Sequence, residues 1–528
     1  MKKLNFKKYI TSDLSSLIIF ICFWIILLGA TKTPFSGIHF QDDHQIIQMH
    51  KDLISAKVPV VLAGYLKNDL KLRFRPFYII HRIIVTKVLG TNLKLWSFYT
   101  GFLAILTSFF LYKFLRLLQF SFIESLLFSF LSLLGPHACI WWKLGNNETI
   151  GAFLLSISLF FLSKSICSKH SYFYKSLTII LLTLTVLSKE SFILFIPAVI
   201  LIYIFFSAIQ KQESYKAVIK KNYIFIFILS ALFILPLIYI FRFIGTNSIS
   251  YAGMSNNYLS IKFIKWFIVQ IYKNLYFIIL VFGFFLLIQN ESINSLKSFI
   301  TVLNRTLRAH FYMLAVFFAI LIPQCLLYFK SGLETRYFMP FVIAFSLLIV
   351  YVMRTIRLND KINNISKFAF TAMVCLSLIV INFRTVIPAA REFSNEGLQT
   401  KALLNSIIDH TDKKDTILFV LDPGPEYEWG FFLKTYFETG LGMPNIHFLP
   451  VSTAYAYPPH YVSRDLFLKV FSKYLIKPDS LRTVKYSCIA VLPDAFALLN
   501  KEYPYLVTSS KYTSIINPNF NVYYLRKN

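Results

Sequence analysis

The most regular feature of the chain is a series of long apolar segments separated by short polar ones. The eleven such segments have lengths around the roughly 20 residues that an α-helix needs to cross a bilayer, and several are shorter. The pattern therefore predicts membrane-spanning helices joined by alternating loops. The predicted spans are 14–30, 95–112, 122–135, 149–163, 176–188, 192–206, 223–241, 263–288, 311–329, 337–353 and 368–384.

Two segments break this pattern. The first outer loop, 31–94, carries apolar residues at helical spacing, Ile46, Met49 and Leu53 among them, and predicts amphipathic helices in the interface plane. Residues 385–528 are less apolar and predict a soluble α/β domain, separate from a transmembrane domain over 1–384. Its expected elements are strands at Thr416–Leu421, Cys488–Leu492 and Asn521–Leu525 and a helix at Trp429–Glu438.

Composition agrees with a membrane protein. Of the 528 residues, 56% are hydrophobic, and the mean hydropathy is +0.60. This excludes an ordinary cytosolic enzyme, a disulfide-rich secreted domain and a disordered chain. The net charge of +29 does not indicate a nucleic-acid partner, because Lys and Arg are concentrated in the segments between spans, where they set topology and meet anionic lipid. Their distribution predicts a cytoplasmic N-terminus and an extracytoplasmic C-terminal domain. The composition, rich in Lys, Ile, Phe and Asn, favours a bacterial inner-membrane protein.

Acidic residues are rare between residues 1 and 384, and seven of them fall on the predicted outer side. Acids near a membrane are costly and mark functional sites. Each one alone is explained by a solvated loop or a local ion pair, but we expect the set to converge at the outer ends of the spans. The seven are Asp42, Asp43, Asp52, Asp69, Glu148, Glu190 and Glu334.

Basic residues lie beside several of these acids, and the combination suits glycosyl transfer. A carboxylate can deprotonate an acceptor, and Lys or Arg can hold a phosphate leaving group. The predicted donor is a polyprenyl-phosphate sugar, and the acceptor is an envelope glycan, lipid or protein. Inversion at the anomeric carbon follows if the acceptor attacks while phosphate departs. The predicted donor-binding residues are Arg73, Arg75, Glu148, Lys189, Glu190, Glu334 and Arg336.

Several short motifs in order resemble the type C (GT-C) membrane glycosyltransferases. Phe40-Gln41-Asp42-Asp43 and Arg73-Phe74-Arg75-Pro76 resemble the first outer loop of that superfamily. Leu187-Ser188-Lys189-Glu190-Ser191 resembles the Ser-Lys-Glu region of its TMTC-like branch, and Glu334-Thr335-Arg336-Tyr337-Phe338-Met339-Pro340 resembles another shared segment. The likeness covers roughly residues 10–390. Relatives include protein O-mannosyltransferases and the aminoarabinose transferases that modify lipid A.

The resemblance implies a catalytic carboxylate in the first outer loop, which corresponds here to Asp42 or Asp43. The chain has Asp-Asp where the mannosyltransferases have Asp-Glu, and no tetratricopeptide array follows its spans, so the acceptor is not inherited from these relatives. The domain over 385–528 either selects the acceptor or only stabilises the outer face.

Three alternatives remain at this stage. No cofactor is required by the sequence, although His44 and His50 with Asp42 and Asp43 offer ligands for a divalent metal ion. A glycan polymerase or ligase would also use basic residues on the outer face, but it would not need the Asp pair. A lipid-linked sugar flippase is less consistent with spans that lack charge at their centres and with a chain that shows no internal repeat.

Overall fold

The computed structural model of the protein describes residues 6–40, 43–244, 265, 268–269, 275–288, 295–331, 335–423, 426–451, 470–476, 486–503, 512–517 and 520–525. Helices dominate these residues, and a small sheet follows them in the C-terminal part. The predicted fold class, a polytopic α-helical chain with a C-terminal α/β domain, is confirmed.

Twelve helices lie in the described residues 6–40 and 43–244. They are α1 (Phe6–Thr31), α2 (Asp43–Ser55), α3 (Val58–Asp69), α4 (Pro76–Leu89), α5 (Leu93–Leu117), α6 (Phe122–Leu133), α7 (Asn147–Cys167), α8 (Ser171–Val186), α9 (Glu190–Ile193), α10 (Ile196–Lys211), α11 (Tyr215–Lys221) and α12 (Tyr223–Tyr239). Short 3-10 turns occupy Thr33–Phe35 and Pro136–Trp141, and a π-turn at Ile240–Ile244 extends α12.

The described residues beyond 244 hold further helices and the strands. The helices are α13 (Tyr276–Ile288), α14 (Leu296–Ala309), α15 (Phe311–Ser331), α16 (Val342–Leu358), α17 (Asn364–Ile381), α18 (Ile387–Asp409), α19 (Tyr427–Lys434) and α20 (Pro493–Glu502). The strands are β1 (Ile417–Leu421), β2 (Ile446–Pro450), β3 (Cys488–Val491), β4 (Tyr512–Asn517) and β5 (Phe520–Leu525). Thr335–Phe338 forms a 3-10 turn, and Asn382–Val386 and Thr435–Gly440 form π-turns.

The chain is a multi-pass membrane protein. Among the described residues, six helical segments are long and apolar enough to cross a membrane, and a bent pair formed by α14 and α15 would make a seventh. Every predicted span overlaps a helix, but several of these helices are shorter than a full crossing. Burial differs widely between the spans. Of the most apolar 18-residue stretch of α7, 67% is buried, whereas only 22% is buried in the segment formed by α12 and the π-turn after it.

The chain divides into two compact units. The first comprises residues 1–31, 62–81 and 97–390, and the second comprises 32–61, 82–96 and 391–528. Within the first unit, aromatic side chains fill the space between spans. Trp24 of α1 donates from its indole N–H to Ser108 Oγ of α5 at 2.9 Å and packs edge-on against Trp141. A buried indole N–H needs such a partner.

The second unit is built on the sheet, whose strand order is β2-β1-β3-β5-β4. Strand β1 pairs in parallel with β2 and β3, while β5 is antiparallel to both β3 and β4. All five residues of β1 are buried, and they alternate between two apolar clusters, one on each face. A parallel strand covered on both faces produces a continuous apolar run, which explains why β1 was predicted almost to the residue.

The first outer loop is helical, as predicted, but its apolar residues have different surroundings. In α2, Ile46 and Met49 are buried within the second unit, where Thr86 Oγ1 lies 3.4 Å from Met49 Sδ. In α4, Ile84 and Val88 are 57% and 75% exposed. The face of α2 that holds Ile46 and Met49 therefore packs on protein, whereas α4 presents exposed apolar residues, as an interfacial helix does.

Candidate functional site

The structure brings most of the predicted donor-binding residues together in the first unit. Asp42 and Glu334 lie outside the described residues, and Arg73 lies in the same loop as Arg75, with its backbone N–H bonded to Asp69 O at 2.8 Å. The charged cluster, as we call it, contains residues from four separate loops. Its members are Asp69, Arg75, Glu148, Lys189, Glu190 and Arg336.

Glu148 is the central carboxylate of the charged cluster. It lies in the first turn of α7, is 1% exposed, and its Oε1 accepts a hydrogen bond from Lys189 Nζ. Arg336 Nε lies 3.9 Å from the same oxygen, and an Arg336 Nη1 donates to Asn146 Oδ1 at 3.3 Å. A carboxylate at a helix N-terminus is also favoured by the helix dipole.

Two cations therefore share one carboxylate. When all three side chains are ionised, Glu148, Lys189 and Arg336 together carry one net positive charge. Glu148 Oε2 is buried and, among the described residues, accepts no hydrogen bond. A buried carboxylate oxygen without a donor is costly, so this oxygen is suited to receive a hydrogen bond from a ligand. The trio can bind an anion and a hydroxyl side by side.

Tyr337 forms an aromatic wall of the charged cluster. Lys189 Nζ lies 4.2 Å and the Arg336 guanidinium carbon 5.4 Å from the centroid of its ring. Cations over an aromatic face gain electrostatic energy, and more so away from water. The 3-10 turn over Thr335–Phe338 places Arg336 and Tyr337 together, so this wall depends on one short turn.

Arg75 is fixed by a carboxylate of its own. Its Nε and Nη2 donate to Asp69 Oδ1 at 2.9 and 2.8 Å, and its guanidinium lies 4.9 Å from the Tyr78 ring centroid. Burial lowers the pKa of Arg75, but Tyr78 and Asp69 raise it by more, so the net pKa lies above its ordinary value. The guanidinium remains charged and held in one orientation, as recognition of a planar or tetrahedral oxyanion requires.

Backbone contacts join these loops. Glu190 Oε1 accepts the Phe74 N–H at 2.6 Å, and Leu187 O accepts the Phe77 N–H at 2.9 Å. Tyr78 donates its hydroxyl to Gly145 O at 2.5 Å. The loop of Arg75 is thereby held against the loops of both Lys189 and Glu148.

Close packing also supports the charged cluster. A Cβ added at Gly151, one turn after Glu148, would lie 2.2 Å from a ring carbon of Phe192, which follows Glu190 in α9. Helices α7 and α9 approach each other here as closely as they do because Gly151 has no side chain.

Asp43 belongs to the second unit and has a different environment. It begins α2, is 2% exposed, and its Oδ2 accepts the backbone N–H of His39 at 2.9 Å. The same oxygen lies 3.4 Å from His39 Nδ1, while His39 Nε2 lies 3.0 Å from Phe393 O and its ring stacks on Phe393 at 3.7 Å. Asp43 is therefore a buried carboxylate engaged with a packed histidine.

The described residues contain no group of three His, Cys, Asp or Glu side chains that could hold a metal ion. Of the residues weighed for this role, Asp43 faces His39, the His44 ring is stacked 6.4 Å from Phe431, and His50 packs near Gly90. Asp42 lies outside the described residues, so a divalent metal ion held by these side chains stays a prediction.

Three functional contacts were not predicted from the sequence. Asp69 was identified only as an outward acid, and neither Tyr78 nor Asn146 was assigned a role at the site. Asp69 precedes Arg75 by six residues, and that spacing has no fixed meaning in a loop.

Comparison with known proteins adds structural likenesses. No family model and no curated protein matches the chain. ArnT from Cupriavidus metallidurans bound to undecaprenyl phosphate is similar over 96% of this chain and 97% of its own, with 11% identity and a TM-score of 0.46. Its apo form shows the same coverage, 13% identity and a TM-score of 0.44.

An oligosaccharyltransferase from Archaeoglobus fulgidus, tethered with an acceptor peptide, is similar over 98% of this chain and 74% of its own. The identity is 11% and the TM-score 0.46. At these values the activity has to be argued from the residues of the chain itself.

Proposed function

We propose that the protein is an inverting membrane glycosyltransferase that moves a sugar from a polyprenyl-phosphate donor to an extracytoplasmic acceptor. The observation that carries this proposal is the pairing of Lys189 and Arg336 with the single carboxylate of Glu148. Two buried cations that face one carboxylate oxygen have hydrogen-bond donors left over for a phosphate group. The order of motifs resembling GT-C enzymes, read from the sequence, agrees with this reaction.

The residues divide into two roles. Lys189 and Arg336 hold the donor phosphate and stabilise the charge that develops on it as the glycosidic bond breaks. Arg75, fixed by Asp69, adds a second guanidinium to the same cluster. Glu148 orients the two cations through Oε1. Its Oε2 accepts a hydrogen bond from a hydroxyl group of the sugar donor. Departure of a phosphate needs no proton from a general acid, so the one proton transfer that the protein has to assist is removal of the acceptor's proton by a general base.

Asp42 is our candidate for that base. Of the two adjacent aspartates, Asp43 is buried and engaged with His39, which suits it to a positioning role rather than to proton transfer. In this mechanism Asp42 takes the proton of an acceptor hydroxyl or amine while the acceptor attacks the anomeric carbon. The sugar is thereby inverted, and polyprenyl phosphate leaves.

The proposed setting follows the charge distribution. The N-terminus is in the cytoplasm of a bacterial cell, the charged cluster lies at the outer rim of the inner membrane, and residues 385–528 form a domain on the same outer side. The donor reaches the site from the outer leaflet, and the domain over 385–528 meets the acceptor.

The test is consumption of lipid-linked sugar by the purified protein in nanodiscs. A panel of polyprenyl-phosphate sugars is supplied with cell-envelope extract as acceptor. Asp42→Asn is expected to lower the rate at least about 100-fold, the usual contribution of a general base. Asp52→Asn, the same change within α2 at a position that accepts a hydrogen bond from Gln48, is the matched control and should retain activity.

Arg336→Gln tests the phosphate role. It should lower kcat/KM for the donor at least about tenfold, because it removes a charge-assisted contact to the phosphate in the bound donor and in the transition state. Full activity of Asp42→Asn would overturn the assignment of the base. If turnover requires a lipid-linked oligosaccharide both as donor and as acceptor, the protein is instead the glycan polymerase or ligase.

A further inference from the structure

A cavity of about 670 Å³ lies at the other end of the helices that begin at the charged cluster. Helix α10 starts a few residues after Glu190 and ends beside this cavity. Helix α7 starts at Asn147 and ends at Cys167, whose Sγ is 3.7 Å from Gln210 in the cavity wall. The ends of α5 and α16 and the junction of α14 with α15 complete it. Four segments that the sequence predicts to be cytoplasmic thus meet around one space.

Arg354 is the cation of this space, which we call the Arg354 cavity. Its Nη1 donates to Leu118 O at 3.0 Å, and its guanidinium lies 4.6 Å from the Phe120 ring centroid, so the side chain is held in place. The neighbouring carboxylate, Glu124, is engaged by Arg357 at 2.7 and 3.4 Å. None of the described residues that line the cavity is acidic. The wall therefore offers a fixed positive charge, while the neighbouring carboxylate of Glu124 lies outside the wall and is paired with Arg357.

Neutral polar groups lie beside this charge. His310 Nδ1 is 3.0 Å from the Tyr351 hydroxyl, and both residues line the cavity together with Gln210. Imidazole, phenol and amide groups can each donate a hydrogen bond to an oxyanion. This combination of one guanidinium and several neutral donors fits a phosphate diester, which has a single negative charge and several acceptor oxygens.

The rest of the wall is apolar and exposed. Ile209 and Leu358 line the cavity and are 51% and 59% exposed. Helix α14 meets α15 at 75°, so when α15 crosses the membrane α14 runs close to the plane of its surface. Lys297, Arg305 and Arg308 make α14 a basic amphipathic helix, and its last residue, Ala309, reaches the cavity. Such a helix lies at the boundary between headgroups and acyl chains.

We propose that the Arg354 cavity binds the phosphate headgroup of an anionic glycerophospholipid from the cytoplasmic leaflet. Its volume is within the range of small-molecule sites. The headgroup phosphate meets Arg354, Tyr351 and His310, and the acyl chains leave past Ile209 and Leu358. The site is separate from the charged cluster and does not take part in the proposed transfer.

Binding of single lipids to the delipidated full-length protein, measured by native mass spectrometry, tests this site. Phosphatidylglycerol is expected to bind at least about tenfold more tightly than phosphatidylethanolamine, and Arg354→Gln should lower its affinity by a similar factor. Lys216→Gln removes one exposed charge from α11 at the same end of the bundle, outside the cavity wall, and should change the affinity less than twofold.

A second variant, Ala309→Trp, tests the same site if Arg354→Gln does not fold. Ala309 is exposed and lines the cavity, so Ala309→Trp fills the space without disturbing a core and should also abolish tight binding. Equal affinity for the two phospholipids, or wild-type affinity in both variants, would overturn the proposal. Displacement of phosphatidylglycerol by millimolar inorganic phosphate, or by undecaprenyl phosphate at equal concentration, would show that the cavity selects phosphate and not this lipid.

Discussion

Helices α7 and α10 each begin at one kind of charged site and end at another. At the charged cluster every cation of the set faces a carboxylate, and the side chains pack against one another. At the Arg354 cavity the carboxylate is drawn to Arg357, and Arg354 faces open space instead. The same residue types therefore serve two purposes. A carboxylate shared by two cations, as at Glu148, builds a rigid site for chemistry. A carboxylate that pairs with a neighbouring cation, as Glu124 does with Arg357, leaves Arg354 available to a ligand.

The largest effect is expected at the charged cluster, from Glu148→Gln. It removes the carboxylate that Lys189 and Arg336 both face and leaves these two buried cations beside each other. We expect a loss of about 3–5 kcal/mol in the free energy of unfolding, the usual result of removing one partner of a buried ion pair. Denaturation of the purified protein in nanodiscs measures this.

Glu213→Gln is the control for that substitution. It removes the partner of Lys221, whose side chain is 63% exposed, and should cost no more than about 1 kcal/mol. Equal losses in the two variants would show that the charged cluster is solvated rather than buried.

Packing at the same site is tested by Gly151→Ala. The new methyl group would overlap the Phe192 ring, so we expect a loss of about 1–3 kcal/mol and weaker donor binding as α7 and α9 separate. Gly29→Ala in α1, where a Cβ meets nothing within 4 Å, should change stability by no more than about 1 kcal/mol. A neutral result at Gly151 would mean that Phe192 moves aside freely and does not support the cluster.

At the Arg354 cavity, Arg357→Gln tests whether the pairing of Glu124 with Arg357 leaves Arg354 available to the lipid. Glu124 also attracts Arg354 electrostatically, and without Arg357 it should draw Arg354 away from the cavity. Affinity for phosphatidylglycerol is expected to fall about fivefold, which is roughly 1 kcal/mol. The double variant Glu124→Gln/Arg357→Gln should restore it, as lipid titration by native mass spectrometry would reveal. Persistence of the loss in the double variant would assign Arg357 itself to the lipid.

The fold was predictable where hydrophobic pattern alone decides it. The run Thr416–Leu421 is buried on both faces, so its sequence is uniformly apolar and β1 followed from it. Strand β4 contains Thr513 and Ser514, which interrupt the apolar pattern, and it was missed. Helix α3 was missed because Pro59 and Gly64 suggest a loop, although a proline in the first turn of a helix is well tolerated.

The candidate site was predictable only in part, for a related reason. Charges that interrupt apolar spans are visible in the sequence, and Glu148, Lys189 and Arg336 were found in this way. Their partners depend on which loops the fold brings together. Nothing local shows that the Phe74 N–H reaches Glu190, 116 residues away.

The unequal burial of the spans determines which substitutions each span tolerates during evolution. Most of the α12 segment faces away from the protein, since only 22% of its apolar window is buried, whereas 67% of the α7 window is enclosed. Selection on α12 therefore acts on average hydropathy, and Leu, Ile, Phe and Val can replace one another along most of it. Selection on α7 acts on each side-chain shape. Homologues should align readily through α7 and only loosely through α12.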